Sequence, residues 1–148
     1  MKILILGASG KIGKILSNFL KKDNYFNLTL VGNSFENKVI NSKIKYLKLD
    51  LYKEKNELLN LYIDTDIVIN CIGEYKNSKT MSFLNYEFLH AFFEKNKNLI
   101  KDTGVHWIQI SSIGVYRNPA NNNVIDESSP IQTLNLYEKT KLKADNLI

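Results

Sequence analysis

Residues 2–13, KILILGASGKIG, join a nearly continuous apolar run to a glycine-rich turn. "KILIL" (2–6) lacks the polar alternation of a half-exposed strand, so it suits a central parallel strand covered on both faces. "GASGKIG" then places glycines at 7, 10 and 13, directly ahead of a segment with helical period near 10–22. This is not the common G-x-G-x-x-G spacing, but the physics is shared. One glycine permits a tight turn and another lets the backbone approach a pyrophosphate. The helix N-terminus supplies N–H groups and a partial positive charge. Ser9, Lys11 and Ile12 add backbone or side-chain donors. The plainer alternative is a glycine-rich strand–helix turn that binds nothing.

The same alternation runs along the rest of the chain. "LTLV" (28–31), "IKYLKL" (44–49), "DIVIN" (66–70) and "HWIQI" (106–110) read as strands. Helical segments are expected near 52–62, near 82–100 and from about 135. Strands alternating with helices predict an α/β fold, a doubly wound parallel sheet of Rossmann type with right-handed crossovers. No internal repeat or inter-domain linker breaks residues 1–148, which read as one NAD(P)-binding domain. The most loop-like stretch is "RNPANNNVIDESSP" (117–130). In such sheets ligands bind beyond the carboxyl ends of the strands. Gly7, Asn33, Asp50, Gly73 and Ser112 follow the five expected strands in turn, and their convergence outweighs any single motif.

Composition narrows the function classes. The chain has 148 residues, 44% hydrophobic and 24% charged, enough for a domain with a real core. No apolar run approaches the ~20 residues that span a bilayer. The stretch "MKILILG" is too short for a signal peptide before Gly7 interrupts it. Cys71 is the one cysteine, which rules out a disulfide framework and fits a reducing, cytoplasmic setting. The net charge of +5 and pI near 9.2 raise nucleic-acid binding. The lysines are scattered, however, and Arg117 is the one arginine, so that reading is set aside. His90, His106 and Cys71 show no metal-ligand spacing.

At the second strand's end, where an acid usually holds a ribose diol, the sequence reads "VGNS" (31–34). Asn33 and Ser34 suit either a hydroxyl or a 2′-phosphate, so NAD and NADP both stay open. The missing acid, with Lys11 nearby, gives a slight lean to NADP. Asp50, closing "YLKLD", could accept from an adenine amino group beside Leu51, or act as the N-cap of a helix starting there. Gly73 in "NCIGEY" would let the chain pass close to a cofactor ribose, or serve simply as a turn residue.

Two stretches place a tyrosine four residues before a lysine: "YKNSK" (75–79) and "YEKTK" (137–141). Positions i and i+4 share a helical face, but eight tyrosines in a lysine-rich chain make the spacing weak evidence. Context separates the two. Tyr75 lies in a polar turn before a helix is established. Tyr137 lies in the helix after the fifth strand, where "SSIGVY" supplies Ser111 and Ser112. A lysine one turn on would favour the phenolate and fit Tyr137 for general-base work.

The run "SSIGVYRNPANNNVIDESSPIQTLNLYEKTKLKAD" (111–145) resembles the segment joining the catalytic serine to the catalytic Tyr/Lys pair in extended short-chain dehydrogenases/reductases. That is the NAD-dependent epimerase/dehydratase family, many of whose members modify nucleotide sugars. The resemblance covers essentially the whole chain. "GASGKIG" is similar to the family's glycine pattern, Asp50 to its adenine-contacting acid, and Ser112, Tyr137 and Lys141 to its catalytic residues. Asn85 in "FLNYEF" resembles an asparagine of the corresponding helix; otherwise it is a solvated helix residue. Arg117 departs from the glycine usual after "VY".

The resemblance implies that Tyr137 takes a proton from a sugar hydroxyl as hydride passes to the nicotinamide. Lys141 would hold the nicotinamide ribose, and Ser112 would orient the reacting oxygen. Implied partners are a nucleotide-sugar substrate, and either a second copy in a homodimer or a complementing C-terminal chain. Family members are considerably longer, so a C-terminal substrate domain is expected to be absent and turnover by these residues alone slight. The alternative is a dinucleotide-binding module without turnover, such as a redox sensor, a partner subunit or a gene remnant.

Overall fold

Strand β1 (Lys2–Leu6) is sealed on both faces, with Leu4, Ile5 and Leu6 fully buried, as its unbroken apolar run requires. The structure, a computed structural model, describes residues 1–51, 54–116 and 124–148. After β1 come α1 (Lys11–Leu20), β2 (Asn27–Val31), β3 (Lys38–Asn41), β4 (Ile44–Leu47), α2 (Lys55–Ile63) and β5 (Ile67–Asn70). The chain continues through α3 (Ser78–Ser82), a π-helical turn (Phe83–Glu87), α4 (Phe88–Thr103), β6 (His106–Gln109), a 3-10 turn (Ile113–Val115) and α5 (Leu136–Asp145).

The strands form one sheet in the order β3-β4-β2-β1-β5-β6. Every pairing is parallel except β3–β4. The fold is thus the doubly wound, Rossmann-type α/β arrangement that the sequence predicts. Leu6 lies opposite both Val31 and Asn70, Val31 opposite Leu47, and Asn70 opposite Gln109. The five parallel strands therefore end flush, which sets the residues that follow them along one edge of the sheet.

The chain divides into two compact units. The first holds Met1–Ile72 and Ala91–Ile110; the second holds Gly73–His90 and Ser111–Ile148. In the first, Ile3, Ile5, Leu28, Leu30 and Ile69 form the heart of the core, with Leu16 and Leu20 of α1 packed against it. Tyr62 of α2 is buried and meets Phe92 of α4 edge-on at 5.5 Å. Phe93 meets Trp107 of β6 edge-on at 5.0 Å. The second unit is built on α3, the π-helical turn and α5.

Most strands and helices fall within two or three residues of the sequence expectations, and the larger differences have local causes. Strand β3 was not foreseen, because all four of its residues are exposed and carry no burial pattern. It pairs with β4 through a tight hairpin in which the Asn41 side chain accepts from the N–H groups of Lys43 and Ile44. The long helical segment begins at Ser78 rather than 82, because Asn77 caps it by accepting from Lys79 N. Helix α2 begins at Lys55, while the expected start at 52 lies outside the described residues. So do residues 117–123 of the loop-like stretch, Arg117 included. Among the described residues, no helix is long and apolar enough to cross a membrane.

Candidate dinucleotide-binding and catalytic residues

In the first unit the turn after β1 is tight enough to dictate its glycines. Gly7 has φ +74°, and a β-carbon there would lie 2.9 Å from Ile72 N. A β-carbon at Gly13 would lie 2.3 Å from the Gly7 carbonyl oxygen, so α1 is pressed directly onto the turn. Gly10 donates its N–H to that same oxygen at 2.9 Å and forms the N-cap of α1. It has no side chain to cap with, and the first turn carries no acidic residue. Gly10, Lys11 and Ile12 are all exposed. An open helix N-terminus without a competing side chain or carboxylate is suited to an anionic pyrophosphate.

Gly32, the first residue past β2, is a constraint the sequence reading passed over. A β-carbon there would lie 2.5 Å from Ser9 Oγ and 2.7 Å from Ser9 Cβ. Ser9 is therefore lodged against the end of β2, and the signal was present in "VGNS" as a glycine directly after an apolar strand. Asn33 and Ser34, next along the chain, are exposed. Asp50 is half-buried and Leu51 buried. Asp50 O accepts from Glu54 N at 2.9 Å, and Asp50 N donates to Glu54 Oε2 at 2.7 Å. The N-cap of α2 is Glu54, directly before Lys55, rather than Asp50.

In the second unit Gly73 is exposed, and a β-carbon on it would meet nothing within 4 Å. Glu74 accepts from the N–H groups of Lys76 at 2.7 Å and Asn77 at 3.1 Å. These two bonds, the Lys76 one foremost, hold its carboxyl below the ordinary glutamate range. Asn85 is 1% exposed, not the solvated helix residue that was the alternative. Its Oδ1 accepts from Glu74 N at 2.7 Å, and its Nδ2 donates to Glu74 O and to Thr140 Oγ1, each at 3.0 Å. The π-helical turn places Asn85 there, a widening of the helix that spacing at 3.6 residues per turn could not reveal.

Ser112 is the N-cap of the 3-10 turn, its Oγ accepting from Gly114 N at 3.2 Å. That contact uses a lone pair and leaves the hydroxyl hydrogen to donate elsewhere. Ser111 Oγ donates to Asp145 Oδ2. Tyr137 and Lys141 both lie in α5, one turn apart, with Tyr137 half-buried and Lys141 only 2% exposed. Tyr75 precedes α3, is 67% exposed and has Lys76, not Lys79, over its ring. Only the later of the two Tyr/Lys pairs shares a helical face. Among the described residues no cluster of His, Cys, Asp or Glu could hold a metal ion.

The sequence profile of the NAD dependent epimerase/dehydratase family matches residues 3–148. The chain belongs to this family. Over 72 residues it is 43% identical to malate dehydrogenase of Methanococcus maripaludis, a match covering 48% of this chain and 21% of that protein. The fold is similar to that of Pal from Bacillus thuringiensis, with a TM-score of 0.81 and 20% identity over 99% of this chain and 50% of that one. It is similar also to dTDP-glucose 4,6-dehydratase from Bacillus anthracis in complex with NAD (TM-score 0.79, 19% identity, 99% of this chain, 49% of that one). UDP-glucuronic acid 4-epimerase from Bacillus cereus, also with NAD, gives a TM-score of 0.77 and 22% identity over 99% and 51%. This family chain spans about half the length of those solved structures and about a fifth of the curated relative.

Proposed function

We propose that the chain is the NAD(P)-binding part of an enzyme that moves hydride at a hydroxyl or ketone of a nucleotide sugar. The observation that carries this is the placing of Tyr137 and Lys141 one turn apart on α5, in a chain whose glycine turn leaves α1 open to an anion. The pyrophosphate would rest on the N-terminus of α1 at Gly10, Lys11 and Ile12, with Gly7, Ser9 and Gly13 shaping the turn. Asp50 and Leu51 would meet the adenine, Asn33 and Ser34 its ribose, and Gly73 the second ribose. The solved relatives reported with a dinucleotide hold NAD, and the lean to NADP has no support among them.

When bound, the nicotinamide supplies the site that takes up or returns a hydride. Tyr137 would accept the proton of the reacting hydroxyl, and return it on reduction. Lys141 would bring positive charge one turn from the phenol and hold the nicotinamide ribose. Ser112 would donate its hydroxyl hydrogen to the reacting oxygen, its own orientation fixed by the Gly114 N–H.

Calorimetry with NAD⁺ and with NADP⁺, on wild type and on Gly10→Val with its fold checked by circular dichroism, tests the binding half. Retained affinity in the variant overturns the pyrophosphate assignment. Turnover of a UDP- or dTDP-sugar that survives Tyr137→Phe overturns the choice of base.

A further inference from the structure

Thr140, immediately before Lys141, is 4% exposed and sits at the centre of a closed hydrogen-bond chain within the second unit. The direction of that chain can be worked out atom by atom. Asn85 Oδ1 accepts from Glu74 N, which fixes which end of the amide faces the turn. Nδ2 then has two hydrogens to place, and they go to Glu74 O and to Thr140 Oγ1. Thr140 Oγ1 is thereby an acceptor towards Asn85, so its own hydrogen is directed to the carbonyl oxygen of Tyr137, at 2.8 Å. Both hydrogens of Asn85 Nδ2 and the hydrogen of the Thr140 hydroxyl are thereby placed, around two side chains so buried that an unpaired polar group would be costly.

The geometry points to Thr140 as a positioning residue, whose hydroxyl locks the helix of Tyr137 and Lys141 to the Gly73–Glu74 turn through Asn85. The inference rests on the function proposed above, in which Tyr137 is the base and Gly73 faces the cofactor. Thr140 touches neither reacting group; it acts by fixing the backbone at both. A hydroxyl is required because the same atom must accept from Asn85 and donate to Tyr137. Valine has the same shape and can do neither, while serine can do both.

The test compares wild type with Thr140→Val and Thr140→Ser, well below their melting temperatures. NAD⁺ and NADP⁺ affinity is measured by calorimetry, and the Tyr137 ring resonances are followed by NMR, assigned through Tyr137→Phe. A positioning role predicts that Thr140→Val weakens cofactor binding several-fold and moves the Tyr137 resonances, with Thr140→Ser restoring both. Thr140→Val with wild-type affinity and unmoved resonances overturns the inference, as does a serine variant that restores neither. If wild type binds no dinucleotide, the proposed function fails on its own account, and the Tyr137 resonances with serine rescue still decide the role of Thr140. Should Thr140→Val not fold, hydrogen exchange on wild type decides. Glu74 N–H protected like the interior amides of α5 supports the lock, and rapid exchange there overturns it.

Discussion

Gly13 stands so close to Gly7 that a β-carbon on it would lie 2.3 Å from the Gly7 carbonyl oxygen and 2.7 Å from Ala8 Cα. Both obstacles are backbone, so no rotamer change can relieve the clash. Gly13→Ala is expected to destabilise the fold at or above the upper end of the ~1–3 kcal/mol usual for overpacking. Gly73→Ala, with open space around the added carbon, should stay within about 0.5 kcal/mol of wild type. Urea denaturation of the two variants checks the contrast.

Gly32 and Ser9 form a pair that can be tested by compensation. Gly32→Ala should drive its methyl into the Ser9 side chain and destabilise the first unit. Ser9→Gly removes the obstructing Oγ and Cβ, though the Ser9 N at 3.1 Å remains. The double variant should therefore recover much of the loss, with a coupling of about 0.5–3 kcal/mol in a double-mutant cycle. Strict additivity would mean that the two residues do not touch.

Helix α5 is held at its start by a capping box: Asn135 Oδ1 accepts from Glu138 N, and the Glu138 side chain accepts from Asn135 N. Asn135→Ala should cost ~1 kcal/mol, and Asn135→Ser much less. The Glu138 amide, which donates to Asn135 Oδ1 in the same first turn as Tyr137, should lose exchange protection in the alanine variant.

The Glu74 turn should respond to acid. The carboxyl is held below its usual range by the Lys76 and Asn77 N–H groups, so its folded value lies under its unfolded one. Its contribution is therefore complete above the unfolded value and is lost as pH falls through the folded value. The gap in melting temperature between wild type and Glu74→Gln should be widest above the ordinary glutamate range and shrink as pH falls through the lower folded value. A gap that does not change with pH would show that the charge adds nothing to the turn.

The sheet was legible where burial on both faces wrote itself as unbroken apolar runs: Lys2–Leu6 matches its expected bounds, and Ile67–Asn70 nearly so. Strand β3 was illegible because an exposed edge strand need carry no pattern, and its pairing depends on β4 rather than on its own residues. The choice of "YEKTK" over "YKNSK" rested on which tyrosine would lie inside a helix, and the backbone places Tyr137 inside one and Tyr75 outside. Asn85 could be found only by resemblance, since the π-helical turn that buries it shifts the phase of the helix locally. Within "VGNS" Gly32 is marked only as a glycine after an apolar strand, and no local pattern states why it must be one. What demands its lack of a side chain is Ser9, a contact made across the fold.

The interleaving of the two units shapes how this chain can be made and cut. The first unit needs Ala91–Ile110, and the second needs both Gly73–His90 and Ser111–Ile148, so each is interrupted by the other. During synthesis β5 meets β1 at once but gains its second neighbour only when β6 is made, since Asn70 has Leu6 on one side and Gln109 on the other. By then Asn85 has been made, but its partner Thr140 has not. A nick after Ile72 separates β6 from the sheet, and one after Ile110 separates Asn85 from Thr140. The first unit is whole once Ile110 has been made, whereas the second must wait for Ser111–Ile148 to meet Gly73–His90, so the two units mature in sequence.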